Sequence, residues 1–138
     1  MAHTSPCYVA KGDIVPMRFV KVHSADFSVV QATANAAVRG VSQEGSRTAP
    51  TPDVSTLLAA SSGETLLVYG ETEDCLLEIA DDVSPGDKLK SDANGKGVPI
   101  ATTGTTLQQI GAVALEGGAS GDRIRVQVSL GSERPALA

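Results

Sequence analysis

The side chains best suited to nucleophilic or metal chemistry are two histidines, His3 and His23, and two cysteines, Cys7 and Cys75. Their spacing serves neither use. His3 lies in a polar N-terminal stretch and His23 in a surface turn, with no Ser or Cys signature around either, so a Ser-His-Asp or Cys-His arrangement has no base in place. The cysteines stand far apart in sequence and read as small apolar side chains, reduced rather than bridged. Asp13, Asp87 and Asp122 each follow a glycine and precede an apolar segment. No His or Cys sits near them at ligand spacing, and Gly-Asp suits turns, with Gly taking positive φ and Asp bonding its local backbone. Asp92-Ala93-Asn94-Gly95 opens like a calcium loop but lacks the later ligands and the closing Glu, so Asn94-Gly95 is expected to be a two-residue hairpin turn. Glu71, Glu73, Asp74, Asp81 and Asp82 read as a solvated acidic rim that Lys88, Lys90 and Lys96 balance. The glycine-rich run 117–121 lacks the Lys and following helix of a phosphate loop and is expected to be a hairpin loop. The residues point to no catalytic group, no cofactor and no metal site, and so to a binding or structural role.

Composition narrows the partners. The formal charge of -5 and pI near 4.9 argue against nucleic acid, whose binding depends on Lys and Arg displacing counterions. With two Phe, two Tyr and no Trp, the chain also lacks the stacking platforms of single-strand binders. No run of about 18 apolar residues is present, so no transmembrane helix is expected, and the N-terminus does not read as a signal peptide. The protein is expected to be made in the cytoplasm. Leu, Ile, Val and Phe make 33 of 138 residues, enough to fold, and the length suits one domain over 1–138. A core made from Val, Leu, Ile and Ala buries little area per position, and so thin a core gains from a partner.

The elements that carry these residues read as β-strands. Residues 1–6 are small and polar and are expected to form a flexible arm; 132–138, with Pro135, reads as a tail. Two apolar segments flank the turn at Lys11-Gly12-Asp13, and Ser24-Ala25-Asp26 turns the chain into a hairpin. A strand follows over 36–42. The stretch 42–63 is rich in Ser, Thr, Gly and Pro, and holds either a short helix capped by Thr51 and ended by Gly63, or a long surface loop of the kind that carries contacts. The apolar segments 64–70 and 75–80 lack clean alternation, which predicts burial on both faces. In the last strand Ile124, Val126, Val128 and Leu130 alternate with Arg123, Arg125, Gln127 and Ser129, which predicts one buried face and one wet face. A weak internal echo aligns Gly12-Asp13-Ile14 with Gly86-Asp87-Lys88-Leu89, and Gly40-Val41 with Gly111-Ala112. Reused turn chemistry and duplication explain it equally well. The fold class is therefore all-β, a small antiparallel barrel or sandwich with at most one short helix.

Three stretches carry a resemblance: Cys75 to Ile79; the turn and hairpin from Pro85-Gly86-Asp87 through Asn94-Gly95 to Gly97; and the strand Ile110 to Glu116 with the small-residue loop and alternating strand after it. They resemble the decoration, or cement, proteins of tailed-phage capsids. The likeness covers about 75–130; the first 70 residues agree only in size and turn style. It implies a β-tulip-like domain on the outer surface of the virion capsid, bound to the major capsid protein. It also implies a homotrimer at three-fold or quasi-three-fold positions that clamps adjacent capsomers for capsid stabilisation. The family has no catalytic residues to carry over. The candidate capsid contacts are His3, Thr4, Ser5 and Pro6 of the arm, Arg47 and Thr51 of the long loop, and Arg125 on the wet face of the last strand. The rival readings are another virion module at the tail or host-attachment apparatus, and a cytosolic enzyme with a substrate-only site.

Overall fold

The computed structural model describes residues 7–24, 27–43, 59–100 and 107–133. These form ten β-strands and no helix. The first five are β1 (Cys7–Ala10), β2 (Phe19–Val22), β3 (Ser28–Gln31), β4 (Val38–Ser42) and β5 (Thr65–Tyr69), closed into a barrel in the order β1-β3-β2-β4-β5. The second five are β6 (Asp74–Glu78), β7 (Lys88–Ser91), β8 (Gly97–Pro99), β9 (Gln108–Ala114) and β10 (Arg123–Glu133), in the order β6-β10-β9-β7-β8. The all-β barrel architecture expected from the sequence is present. It is not wholly antiparallel, because β1 and β3 pair in parallel.

The two sets of five are the same unit twice. The antiparallel pairings of the first recur in the second with the same register, apart from the bulged Lys21↔Val38 pair. Val22↔Val29 and Val20↔Gln31 of β2/β3 correspond to Ser91↔Gly97 and Leu89↔Pro99 of β7/β8. Ser42↔Val68 corresponds to Ala114↔Val126, and Tyr8↔Leu66 to Leu77↔Ile124. The parallel pair Ala10↔Val29 has its counterpart in one parallel bridge, Ile79↔Gly97, and the antiparallel bridge Ile14↔Ala60 has its own in Val83↔Gly118. Turn chemistry repeats too. Gly63 and Gly121 hold the same left-handed position, φ 92° and 94°, and the next residue caps the turn from its carboxylate: Ser61 N–H donates to Glu64 at 2.7 Å and Ala119 N–H to Asp122 at 2.9 Å. The two halves are thus a structural repeat, but not in the alignment the sequence echo gave. The structure sets Met17 against Gly86 and Gly40 against Ala112.

Strand periodicity fills two cores. Ala10, Ile14, Val20, Val29, Ala59, Ala60, Leu66 and Val68 fill the first barrel. Their counterparts Ile79, Val83, Leu89, Ile124 and Val126 lie in the larger second cluster, which also takes Phe19, Ala32 and Val41 from the outer face of the first barrel. Phe19 joins the repeats by lying against Gly111, where an added Cβ would meet its ring at 2.6 Å. Burying such a ring is worth roughly 1.5–3 kcal/mol.

Several local expectations change. In β5, Leu66 and Val68 are buried while Thr65 and Leu67 are exposed, so the strand has one wet face rather than two buried ones; as a barrel strand it buries only its inward face. The 92–96 connection is a longer loop than a two-residue turn, because the Asp92 carboxylate accepts from both Asn94 N–H and Lys96 N–H. No helix ends at Gly63: Ala60 bridges Ile14 and Gly63 enters a strand turn. The rest of that candidate helix lies outside the described residues. Ser132 and Glu133 belong to β10, paired with Gln109 and Gln108, rather than to a tail.

Candidate interaction surface

The junction between the repeats is the most polar built feature of the described residues. In the first barrel the Val9 N–H donates to the Phe27 carbonyl at 2.8 Å and closes the β1/β3 seam. The counterparts in the second repeat are Glu78 and Gly95, and they do not bond each other. The Glu78 N–H donates to the Met17 carbonyl at 3.0 Å, and the Gly95 carbonyl accepts from the Phe19 N–H at 2.7 Å. The segment Met17-Arg18-Phe19 is therefore a wedge between the β6 and β8 edges of the second sheet, which is open there, and is held by main-chain bonds as an added strand would be. Gly95 is needed there: it is left-handed, φ 79°, and a Cβ would come within 3.0 Å of the Phe19 carbonyl oxygen.

Side chains lock the wedge. The Arg18 guanidinium lies 3.3 Å from Glu78 Oε1, and Lys96 Nζ lies 3.3 Å from Glu78 Oε2. Arg18 also donates to the Asn94 carbonyl at 2.9 Å, as does the Gln31 amide at 2.9 Å. From the other side, Ser42 Oγ accepts from the Arg18 N–H and donates to the Val15 carbonyl. Burial pushes the Glu78 carboxyl up, but the Arg18 and Lys96 charges and hydrogen bonds outweigh it and hold the group below its ordinary value. The junction offers charge pairing and no nucleophile. It is built to hold.

Of the acidic residues read as a rim, Glu71 and Glu73 bond the main chain, while Lys96 and Lys90, expected to balance the rim, pair with Glu78 and Gln108. Glu73 accepts from the Gly70 N–H and Glu71 from the Leu130 N–H, fastening the link between repeats to the bulged end of β10. Asp87 and Asp122 cap turns as expected, accepting from the Ser84 and Ala119 N–H groups. Cys75 is a buried thiol. Among the described residues no group of three or more His, Cys, Asp or Glu could hold a metal ion, and no helix is long and apolar enough to cross a membrane.

Of the candidate capsid contacts, His3, Thr4, Ser5, Pro6, Arg47 and Thr51 lie outside the described residues. Arg125 is described: it is exposed on β10, opposite Leu76 of β6; Ile124, Val126 and Val128 are buried as the alternation required, but Leu130, the fourth residue expected on that face, is only partly buried, where the register shifts between Val128 and Gly131. What sequence reasoning missed is the exposed apolar set Val22, Phe27, Leu67, Leu107 and Leu115. Phe27, 79% exposed at φ 50°, is the extreme case. Its signal was a bulky residue placed directly after a turn.

The fold is an all-β protein of two repeated five-stranded units. It is similar to the crystal structure of the head fiber gp8.5 N base of bacteriophage phi29, with a TM-score of 0.58 and 17% identity over 91% of this chain and 93% of that one. At that identity the likeness speaks for the fold. No protein-family model matches the sequence, and no curated protein matches it.

Proposed function

We propose that the chain is a component of a tailed-phage virion, a capsid decoration protein on the outer surface of the head. The observation that carries this is the end-to-end fold likeness to a phage head fiber base. It agrees in kind with the cement-protein resemblance carried by residues 75–130. The protein binds the major capsid protein as a homotrimer at three-fold or quasi-three-fold positions and clamps adjacent capsomers against the pressure of packaged DNA. Many weak contacts on one shell then act together. It is not an enzyme and takes no cofactor, nucleic acid or membrane. A tail or host-attachment module draws the same support from the head fiber likeness. Electron microscopy of virions separates the two: regular protrusions over the shell are expected, and density confined to the tail would overturn the reading. Deleting residues 2–6 should leave folding intact and weaken binding to undecorated heads, because a terminal segment added to a capsid strand gains main-chain bonds there. Equal binding by the truncated protein would remove the arm from the mechanism.

A further inference from the structure

We propose that one copy of this chain docks head to tail on a second, the exposed apolar tip of its first barrel (Val22 and Phe27) seating on the second sheet of its neighbour beside Pro85, Gly86 and Leu115. The chain already makes a related contact within itself. The hairpin end of the second repeat lies on the Met17–Phe19 edge of the first, and at the positions of Val22 and Phe27 it carries Ser91 and Gly95. The tip that is covered within the chain is thus small and polar. Its exposed twin carries Val22, 62% exposed, and Phe27, 79% exposed. Solvent alone selects the reverse order, and large exposed apolar side chains clustered at one tip mark a protein contact.

The chain also carries the receiving half. The edge of the second repeat that corresponds to Met17–Phe19 is Gly86-Asp87-Lys88, preceded by Pro85 as Met17 is preceded by Pro16. Pro85 and Gly86 are exposed. The Gly86 N–H bonds the carbonyl of Ala114, and the next residue, Leu115, is 47% exposed where the first repeat has Gln43. An apolar tip on the first repeat and, on the second, an edge whose apolar members are Pro85 and Leu115 beside the charged Asp87 and Lys88, related as the covered tip and edge already are, make a heterologous pair. Such a contact repeats from copy to copy and closes into a ring when the rotation allows. It differs from the internal contact in one respect. The Val9–Phe27 hydrogen bond keeps the first barrel's seam shut, so side-chain burial replaces strand insertion. The left-handed backbone of Phe27 is retained strain of the kind found at contact sites.

This proposal deepens the self-association in the proposed function and rests on that part of it. The test is sedimentation of the full chain over a concentration series. Wild type should sediment above monomer in a concentration-dependent way. Phe27→Gly restores the sister residue, so it relieves strain while deleting the docking ring; it should unfold at an equal or higher temperature and lose assembly. Leu115→Asp should also be monomeric. Mixed, these two variants share one intact tip and one intact edge, and should form a 1:1 heterodimer that neither forms alone. Wild type monomeric at every concentration, Phe27→Gly assembling as wild type, or a mixture that stays monomeric would each overturn the proposal. Head binding is measured beside it. A monomer that binds heads through Phe27 leaves the virion reading standing and assigns the tip to another virion protein. An assembling chain that binds no heads does the opposite.

Discussion

Gly97 and Ile79 face each other across the single parallel bridge of the second repeat, in the places that Val29 and Ala10 hold in the first. Large and small are exchanged across the bridge: Ala with Val in the first repeat, Ile with Gly in the second. A Cβ on Gly97 would meet Leu77 at 2.7 Å and Ile79 at 3.5 Å. Gly97→Val alone should therefore cost about 1–3 kcal/mol by overpacking, and Ile79→Ala alone about 2–5 kcal/mol by cavity formation. The double variant rebuilds the first repeat's pair, and should be more stable than the sum of the two losses by at least about 1 kcal/mol. Urea unfolding of the four proteins measures the coupling; strict additivity would mean the two sites do not share volume.

Val126 is fully buried on β10 and Arg125 beside it is exposed. Val126→Ala should lose on the order of 1–3 kcal/mol, whereas Arg125→Ala should change monomer stability by less than about 0.5 kcal/mol. Thermal unfolding of both variants checks the register of the C-terminal hairpin, since a one-residue slip exchanges the two results.

Glu78 carries a pH dependence with a definite sign. Its carboxyl is held below the ordinary value in the folded protein, so its contribution to stability is fully present above the unfolded-state pKa and is lost as pH falls through the lowered folded one. The groups that face it are Arg18 and Lys96, with Arg123 as its cross-strand neighbour on β10. Glu78→Gln should be less stable than wild type near neutrality, and the gap should close as the solution is taken down through the acid range. Unfolding temperatures of the two proteins across that range test it; a constant gap would assign the loss to packing.

Thr72 is a β-branched residue at φ 71° in the link between repeats, with its side chain exposed. A left-handed backbone costs a non-glycine residue about 1–2 kcal/mol, partly offset in a glycine variant by the greater freedom of its unfolded chain. Thr72→Gly should raise stability by about 0.5–1 kcal/mol in chemical denaturation. Gly86→Ala is the converse. Gly86 has open space around it and φ 90°, so its loss of about 1 kcal/mol is a backbone effect alone.

Patterns that depend on neighbours in the chain were decided by the sequence alone. The alternation through Ile124, Val126 and Val128 placed the buried face of β10, because side chains on a strand alternate whatever the strand pairs with. The Gly-Asp turns before β7 and β10 followed from local hydrogen bonding, and the hairpin loop over 117–121 from its glycines. What depends on partners far apart in the chain was decided only by the tertiary structure. The sequence echo aligned Gly12 with Gly86, but main-chain pairing aligns Met17 with Gly86, since register is set by which amide meets which carbonyl and not by residue likeness. The parallel β1/β3 seam and the wedge of Met17–Phe19 between Glu78 and Gly95 leave no periodic signature, because each consists of one or two main-chain bonds. Phe27 and Leu115 look like any apolar residue beside a turn until the first barrel closes and the second sheet packs and leave them exposed, because exposure depends on which distant strands cover a residue.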